Sequence, residues 1–242
     1  MLIVIAVVNR GRVLNAFKRA GIAGVIGGLC GMCAGICFVF ALSHLTVATV
    51  VFILAAAPLA AALIAWIIMR EKIGRRTVFA MLIAFLGIGI MMSEGVASGN
   101  FLGISYAIVM MLGFAGVTVV ARWGGGMDMM PAICWGSGMT VIVAIFLTGG
   151  LVMVPFADLA YSYISGGVLT VAGMTCFMAG ARFVPAAVLA FLTFTEIILG
   201  PVWVWLAFNE IPSTPTLVGG VIVLSAMAME AFLRIKETKA AV

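Results

Sequence analysis

The chain has 242 residues, of which 65% are hydrophobic and only 9% are charged, and its formal net charge is +5. Soluble domains carry about 25% charged residues, so this chain lacks the polar surface that a protein surrounded by water needs. The composition excludes a soluble globular protein and predicts one covered largely by lipid. The small, dispersed positive charge also gives no indication of nucleic-acid binding.

Long apolar runs divide the chain, and each is about the 20 residues that a transmembrane helix requires. A membrane β-barrel would alternate polar and apolar residues, so the predicted fold class is all-α, a polytopic bundle of transmembrane helices. The eight predicted full spans are 20–42, 45–69, 77–93, 100–122, 130–154, 159–181, 185–208 and 214–233, preceded by a partial helix at 1–8.

When these spans alternate across the membrane, every Lys and Arg falls on one side, as Arg10, Arg70, Arg122 and Arg234 illustrate. Basic residues in short loops mark the cytoplasmic face. The pattern therefore predicts a cytoplasmic carboxyl terminus.

The chain also contains an internal repeat. An offset of 139 residues aligns 1–89 with 140–228 without a gap, and the identical pairs include Gly27/Gly166, Cys37/Cys176, Trp66/Trp205, Glu71/Glu210 and Thr77/Thr216. Equivalent loops fall on opposite faces, so the repeats are inverted, which is typical of secondary transporters. We predict a truncated first repeat at 1–93, a second repeat at 100–233 and a cytoplasmic tail at 234–242. The first repeat lacks about one and a half helices that the second contains, so a complete form is expected to have ten spans.

Two stretches carry a family resemblance. Pro58-Leu59 followed by Arg70-Glu71-Lys72-Ile73-Gly74 is similar to the end of the fourth helix in EamA-type members of the drug/metabolite transporter superfamily. Leu192–Glu196, running to Pro201–Trp205 and Asn209–Pro212, resembles their ninth helix. The resemblance implies a multi-pass carrier of the bacterial inner (plasma) membrane, without a cofactor, that exports a small metabolite such as an amino acid or amine by alternating access.

Glu196 is the principal candidate for substrate binding, because an ionisable group in the middle of a span is costly unless it faces water or partners. Thr193 lies on the same helical face, and Trp203 offers an aromatic ring for a cationic substrate. Three further candidates for the substrate cavity are polar-tipped aromatics in other spans: Tyr106, Trp135 and Tyr163. A structural carboxyl at Glu196 and an interfacial position for the tryptophans are the alternatives.

Pro58 and Pro201 interrupt their spans and are the candidate hinges. Cys30, Cys33 and Cys37 share one helix face, but we read them as packing residues rather than a metal site. Gly27, Gly31 and Gly35 recur every four residues, which predicts close helix packing.

The sequence leaves other functions and partners open. A truncated remnant that does not transport is one alternative, and a membrane-embedded enzyme is a weaker one, because no cluster of acids, bases or metal ligands stands out. The expected partners are the lipid bilayer and a small-molecule substrate, with proton coupling and a homodimer left open.

Overall fold

A computed structural model describes most of the chain. The described residues are 13–70, 74–97, 100–124, 130–147, 149, 155–173, 176, 195, 199–207, 209 and 211–240. The helices are α1 (Val13–Leu42), α2 (Val47–Ala55), α3 (Ala57–Met69), α4 (Arg75–Ala97), α5 (Phe101–Trp123), α6 (Met130–Leu147), α7 (Phe156–Ser162, continued by the π-helical segment Tyr163–Leu169) and α8 (Thr214–Ala240). No strand occurs among the described residues, and the predicted all-α bundle is confirmed.

Within the described part of the chain, three helical segments are long and apolar enough to cross a membrane. They are Ala20–Leu42, Phe101–Trp123 and Thr214–Ala231, and the pair α2 and α3, bent by 40°, forms a fourth candidate span. Shorter apolar helices cover Thr77–Ser93 and Pro131–Leu147. The predicted partial helix at 1–8 and most of the predicted span 185–208 lie outside the described residues.

Helices α1 and α5 pack antiparallel along much of their length. The ring of Phe40 stacks on Tyr106 with centroids 5.2 Å apart, and further along a Cβ added to Gly113 would lie 2.8 Å from the Cβ of Ala34. Without a hydrophobic driving force between helices in lipid, such close backbone approach is the main source of helix association. Glycine at 113 is therefore required for this contact.

Helix α6 crosses α1 at a second glycine contact. A Cβ on Gly136 would lie 2.8 Å from the carbonyl oxygen of Gly28. The predicted contact face was different: Gly31 has only ordinary van der Waals distance to Val117, and a Cβ on Gly35 would meet open space. Close packing is therefore absent at Gly35, while Gly27, the third glycine of the predicted face, is buried.

The helix directions place the described loops at two ends of the bundle. The basic end holds Lys18, Arg70, Arg75 and Arg122, at the starts of α1 and α4 and the ends of α3 and α5. The His44 end holds the loop between α1 and α2 together with the starts of α5 and α8. These positions agree with the segregation of basic residues predicted from the sequence.

Candidate functional site

Helices α4 and α8, the last helices of the two predicted repeats, pack antiparallel at their closest approach. A Cβ on Gly87 would lie 2.8 Å from the carbonyl oxygen of Gly219, and a Cβ on Gly219 would collide with Met91. The repeat offset aligns Gly87 with Ala226 and Gly219 with Ala80, and both alanines are buried. This antiparallel packing of α4 against α8, which we call the α4–α8 seam, is compatible with the predicted inverted repeats.

Towards the basic end, the seam contains a buried carboxylate. Glu230 on α8 is only 7% exposed, and its Oε1 accepts a hydrogen bond from the Thr77 hydroxyl on α4 at 2.8 Å. An acidic side chain in an apolar helix requires such partners, because burial without them costs several kcal/mol. Thr77 and Glu230 therefore connect α4 to α8 at this end.

At the His44 end, four hydroxyl groups connect α2 to α8. Thr46 caps α2 and bonds to Thr49 (Oγ1 to Oγ1, 2.8 Å), and Ser213 precedes α8 and donates to Thr216 at 3.0 Å. The two inner threonines are both buried, and their Oγ1 atoms lie 3.0 Å apart. We call this row Thr46–Thr49–Thr216–Ser213 the hydroxyl chain.

The span formed by α2 and α3 is broken near its middle. Ala56 separates the two helices, and Pro58 lies in the first turn of α3, where a missing backbone N–H costs no intrahelical hydrogen bond. The backbone N–H groups of Leu59 and Ala60 both donate to the Ala56 carbonyl, at 3.0 and 3.1 Å. The bend predicted at Pro58 is confirmed, whereas its role as a hinge stays a prediction.

The loop between α1 and α2 is fixed to the start of α5. Asn100 caps α5, because its Oδ1 accepts from the Gly103 N–H at 3.3 Å, while its Nδ2 donates to the carbonyl of His44. The His44 ring lies 6.0 Å from the ring of Tyr106, and its Nδ1 is 2.9 Å from the Phe40 carbonyl oxygen. The candidate Tyr106 is therefore part of an aromatic contact at the His44 end.

The other candidates occupy separate places. Trp135 on α6 is 43% exposed and meets Phe17 edge-on at 6.1 Å. Tyr163 and Trp203 are 72% and 64% exposed, whereas Pro201 is buried. The ring contacts of the described residues do not join these aromatics into one cavity.

The two candidates in the predicted span 185–208 that matter most, Thr193 and Glu196, lie outside the described residues. In the sequence, the repeat offset pairs Glu196 with Ala57, the first residue of α3. By the repeat alignment, the described residue equivalent to Glu196 therefore lies at the break between α2 and α3.

The five cysteines are free thiols. In the described part of the chain, no three His, Cys, Asp or Glu side chains come together as a group that could hold a metal ion. Cys30 contributes to helix packing, since its sulfur lies where a Cβ on Gly116 would approach to 3.0 Å, and Cys37 packs against the hydrophobic core.

Glu230, Thr49 and Thr216 did not emerge as candidates from the sequence. Glu230 is embedded in the apolar run 214–233, near the basic residues that follow it. A signal for the threonines exists, because Thr46-x-x-Thr49 and Ser213-x-x-Thr216 each place a capping hydroxyl three residues before another. Their contact across 167 positions is visible only in the fold.

The comparison with protein families identifies the amino-terminal part of the chain. Residues 1–93 match the EamA-like transporter family, which confirms the resemblance over the matched residues. The chain matches no curated protein and no solved structure. The family is one of transporters, so lipid and a small-molecule substrate are the partners that it implies. The apolar helices are those of a multi-pass membrane protein, and its residues 1–93 are similar to a family of transporters.

Proposed function

We propose that this protein is a secondary transporter that exports a small metabolite, such as an amino acid or amine, by alternating access. The observation that supports the proposal is the close antiparallel packing of α4 and α8, the helices that the repeat offset aligns: Gly87 contacts Gly219, and Ala80 and Ala226 are both buried. Two halves related in this way can exchange conformations, so that a site between them opens to either side in turn.

The α2–α3 break supports a site near the middle of the membrane. Discontinuous helices provide free backbone groups at membrane depth, and such groups line substrate sites in transporters of inverted-repeat design. Because the repeat offset pairs Ala57 with Glu196, we propose that the carboxylate of Glu196 binds the substrate at the corresponding point of the second repeat. Thr193, Trp203, Tyr106, Trp135 and Tyr163 complete the proposed set of substrate-binding candidates.

The proposed membrane is the bacterial inner membrane, with the basic end and the carboxyl terminus in the cytoplasm. Lys18, Arg70, Arg75 and Arg122 share this end, and basic residues in short loops set the orientation of a membrane protein. Pro58 and Pro201 are the proposed hinges. We propose no enzymatic activity.

The function is tested by reconstituting the chain in proteoliposomes and measuring counterflow of radiolabelled amino acids and amines. We expect one class of solute to be exchanged above the level of empty liposomes. Glu196→Gln is expected to abolish this exchange if the carboxylate is the counter-charge of a cationic substrate. If Glu196 instead carries a proton, Glu196→Gln retains counterflow but loses uptake driven by a pH gradient.

Asp158→Asn is the matched control, because Asp158 is an exposed acid at the start of α7. Its transport is expected to equal that of the unaltered chain in both assays. If Asp158→Asn and Glu196→Gln behave alike, Glu196 has no special role. If the unaltered chain moves none of the solutes, the proposed substrate class is wrong, and a remnant that does not transport becomes the better interpretation.

A further inference from the structure

We propose that α2 is a movable half-helix that closes the His44 end of the transport path, with the Thr49–Thr216 hydrogen bond as its latch and Ala56 as its hinge. The inference rests on the proposed transport function, because it assigns to α2 the closing of one side. It concerns the contact between α2 and α8, to which the proposed function assigns no role.

The latch is a continuous chain of hydroxyl groups with one proton for each bond. A hydroxyl donates a single hydrogen. Ser213 donates to Thr216, so the Thr216 proton is available for Thr49, and the Thr49 proton for Thr46. Each bond polarises the next. Loss of the central bond therefore weakens the whole connection between α2 and α8.

An aromatic contact one turn further along reinforces the latch. The ring of Phe52 packs directly over Gly220, where an added Cβ would lie 2.6 Å from the ring carbons. Phe52 follows Thr49 by three residues and Gly220 follows Thr216 by four, so both contacts lie on the same faces of the two helices. Helix α2 thus has a polar and an apolar contact with α8 within a single turn.

The carboxyl-terminal end of α2 lies at the break before α3, where the helix can bend. Its C-cap, Ala56, is followed by Pro58, which has no N–H to donate to the preceding turn. The 40° angle between α2 and α3 already departs from a straight helix. Rotation at Ala56 would therefore break fewer backbone hydrogen bonds than rotation within either helix, and α2 has only nine residues to move.

The seam between α4 and α8 provides the fixed frame for such a motion. The Gly87 and Gly219 backbones touch there, and any sliding would drive one main chain into the other. The α2–α8 contact, by contrast, includes a bond between two hydroxyls and a ring packed over a glycine. Hydroxyl groups released from each other can bond to water entering from the membrane surface, which makes opening reversible.

Hydrogen–deuterium exchange of the full chain in lipid nanodiscs, read by mass spectrometry, tests the latch without requiring a known substrate. Thr216→Val preserves the shape of the side chain and removes its hydroxyl. We expect exchange in 47–55, on the partner helix, to rise by about threefold to tenfold, while exchange in 77–93 is unchanged. Thr49→Val is expected to have the reciprocal effect in 214–220, and the double variant is expected to exceed neither single variant.

Thr118→Val is the matched control, because Thr118 is exposed on α5 and bonds only to its own helix, to the Phe114 carbonyl at 3.1 Å. It is expected to leave exchange in 47–55 unchanged, and Thr216→Ser, which retains the hydroxyl, is expected to restore protection there. The proposal is overturned if Thr216→Val alters only its own helix. It is also overturned if exchange rises equally in 77–93, since that would report general loosening of the bundle. Neither outcome depends on whether transport is detected.

Discussion

The polar contacts at the two ends of α8 differ, although each involves one of two threonines that the repeat offset aligns. Thr77 on α4 and Thr216 on α8 are related by the repeat offset. Thr77 donates to the carboxylate of Glu230 across the α4–α8 seam. Thr216 faces Thr49 on α2 instead, because the residue equivalent to Glu230 in the first repeat is Met91, which has no oxygen to offer.

Because Met91 stands where α8 has Glu230, the residues that the offset aligns in α4 and α8 do not make equivalent polar contacts. The backbones of α4 and α8 touch at Gly87 and Gly219, while the two polar contacts differ: Thr77 donates to Glu230, and Thr216 bonds to Thr49. A hydrogen bond to a charged group is roughly twice as strong as one between neutral groups. If Glu230 is ionised, we therefore expect the basic end to be held more firmly than the His44 end, as the proposed opening of α2 requires.

The largest effect is expected where the seam has no room for a side chain. Gly87→Leu would place its Cβ against the Gly219 carbonyl at 2.8 Å and the Val223 side chain at 2.9 Å, and the carbonyl cannot move independently of α8. We expect the free energy of unfolding in mixed micelles to fall by about 3 kcal/mol, the upper range for overpacking. An SDS titration followed by circular dichroism would measure it.

Gly89→Leu is the control on the same helix, because a Cβ on Gly89 meets nothing within 4 Å. The substitution is expected to be neutral or to stabilise the helix by up to about 1 kcal/mol, since leucine has the higher helix propensity. Equal destabilisation by both variants would show that the seam is not closely packed at Gly87, and the fixed frame for α2 would then be lost.

Much of the fold could be predicted from the sequence, because hydropathy and length alone define a membrane helix. The spans corresponding to α1, α4 and α5 are found as helices, and Pro58 correctly indicated the bend in 45–69. The start of the first full span is also marked locally: Gly21 has φ +49° and ψ −143°, a conformation favourable only for glycine, and α1 changes direction there.

The contacts between helices could not be predicted in the same way. Small-residue spacing favours packing on a face but does not identify its partner, so Gly35 was expected to be close to a neighbour while Gly28 is the glycine that touches α6. Glu230 was overlooked because a single acid near the end of an apolar run resembles an interfacial residue. Its burial depends on the position of α4, which no local pattern determines.

A smaller effect is expected from the threonine at the basic end, and its size relative to Thr216 tests the energetic difference directly. Thr77→Val removes the donor to Glu230 and is expected to lower the free energy of unfolding by about 1.5 kcal/mol, as for other hydrogen bonds to charged groups. Thr216→Val is expected to cost about 0.6 kcal/mol, the average for a neutral interhelical bond in a membrane. The same SDS titration compares them.

The pairing of Thr77 with Glu230 is isolated by a double-mutant cycle with Glu230→Gln, which retains an acceptor oxygen of similar shape. We expect a coupling energy of about 1 kcal/mol between the two positions. If Thr77→Val and Thr216→Val have the same cost, or if the coupling is zero, the two ends of α8 are held equally and the proposed difference between them does not exist.

A local effect is expected at Asn100, whose side chain makes two hydrogen bonds that different substitutions remove separately. Asn100→Ala removes both the cap of α5 and the bond to the His44 carbonyl, and is expected to cost about 1 kcal/mol. Asn100→Asp retains an oxygen for the Gly103 N–H, where a negative charge is favourable at a helix start, but it has no donor for His44. Amide exchange is therefore expected to rise at Leu45 with Asn100→Asp, and at both Leu45 and Gly103 with Asn100→Ala.

If Asn100→Asp leaves Leu45 protected, the loop is held by the backbone bond from Leu45 to the Ala41 carbonyl at 2.8 Å. In that case the Thr49–Thr216 bond would be the side-chain connection on which closure of the His44 end depends.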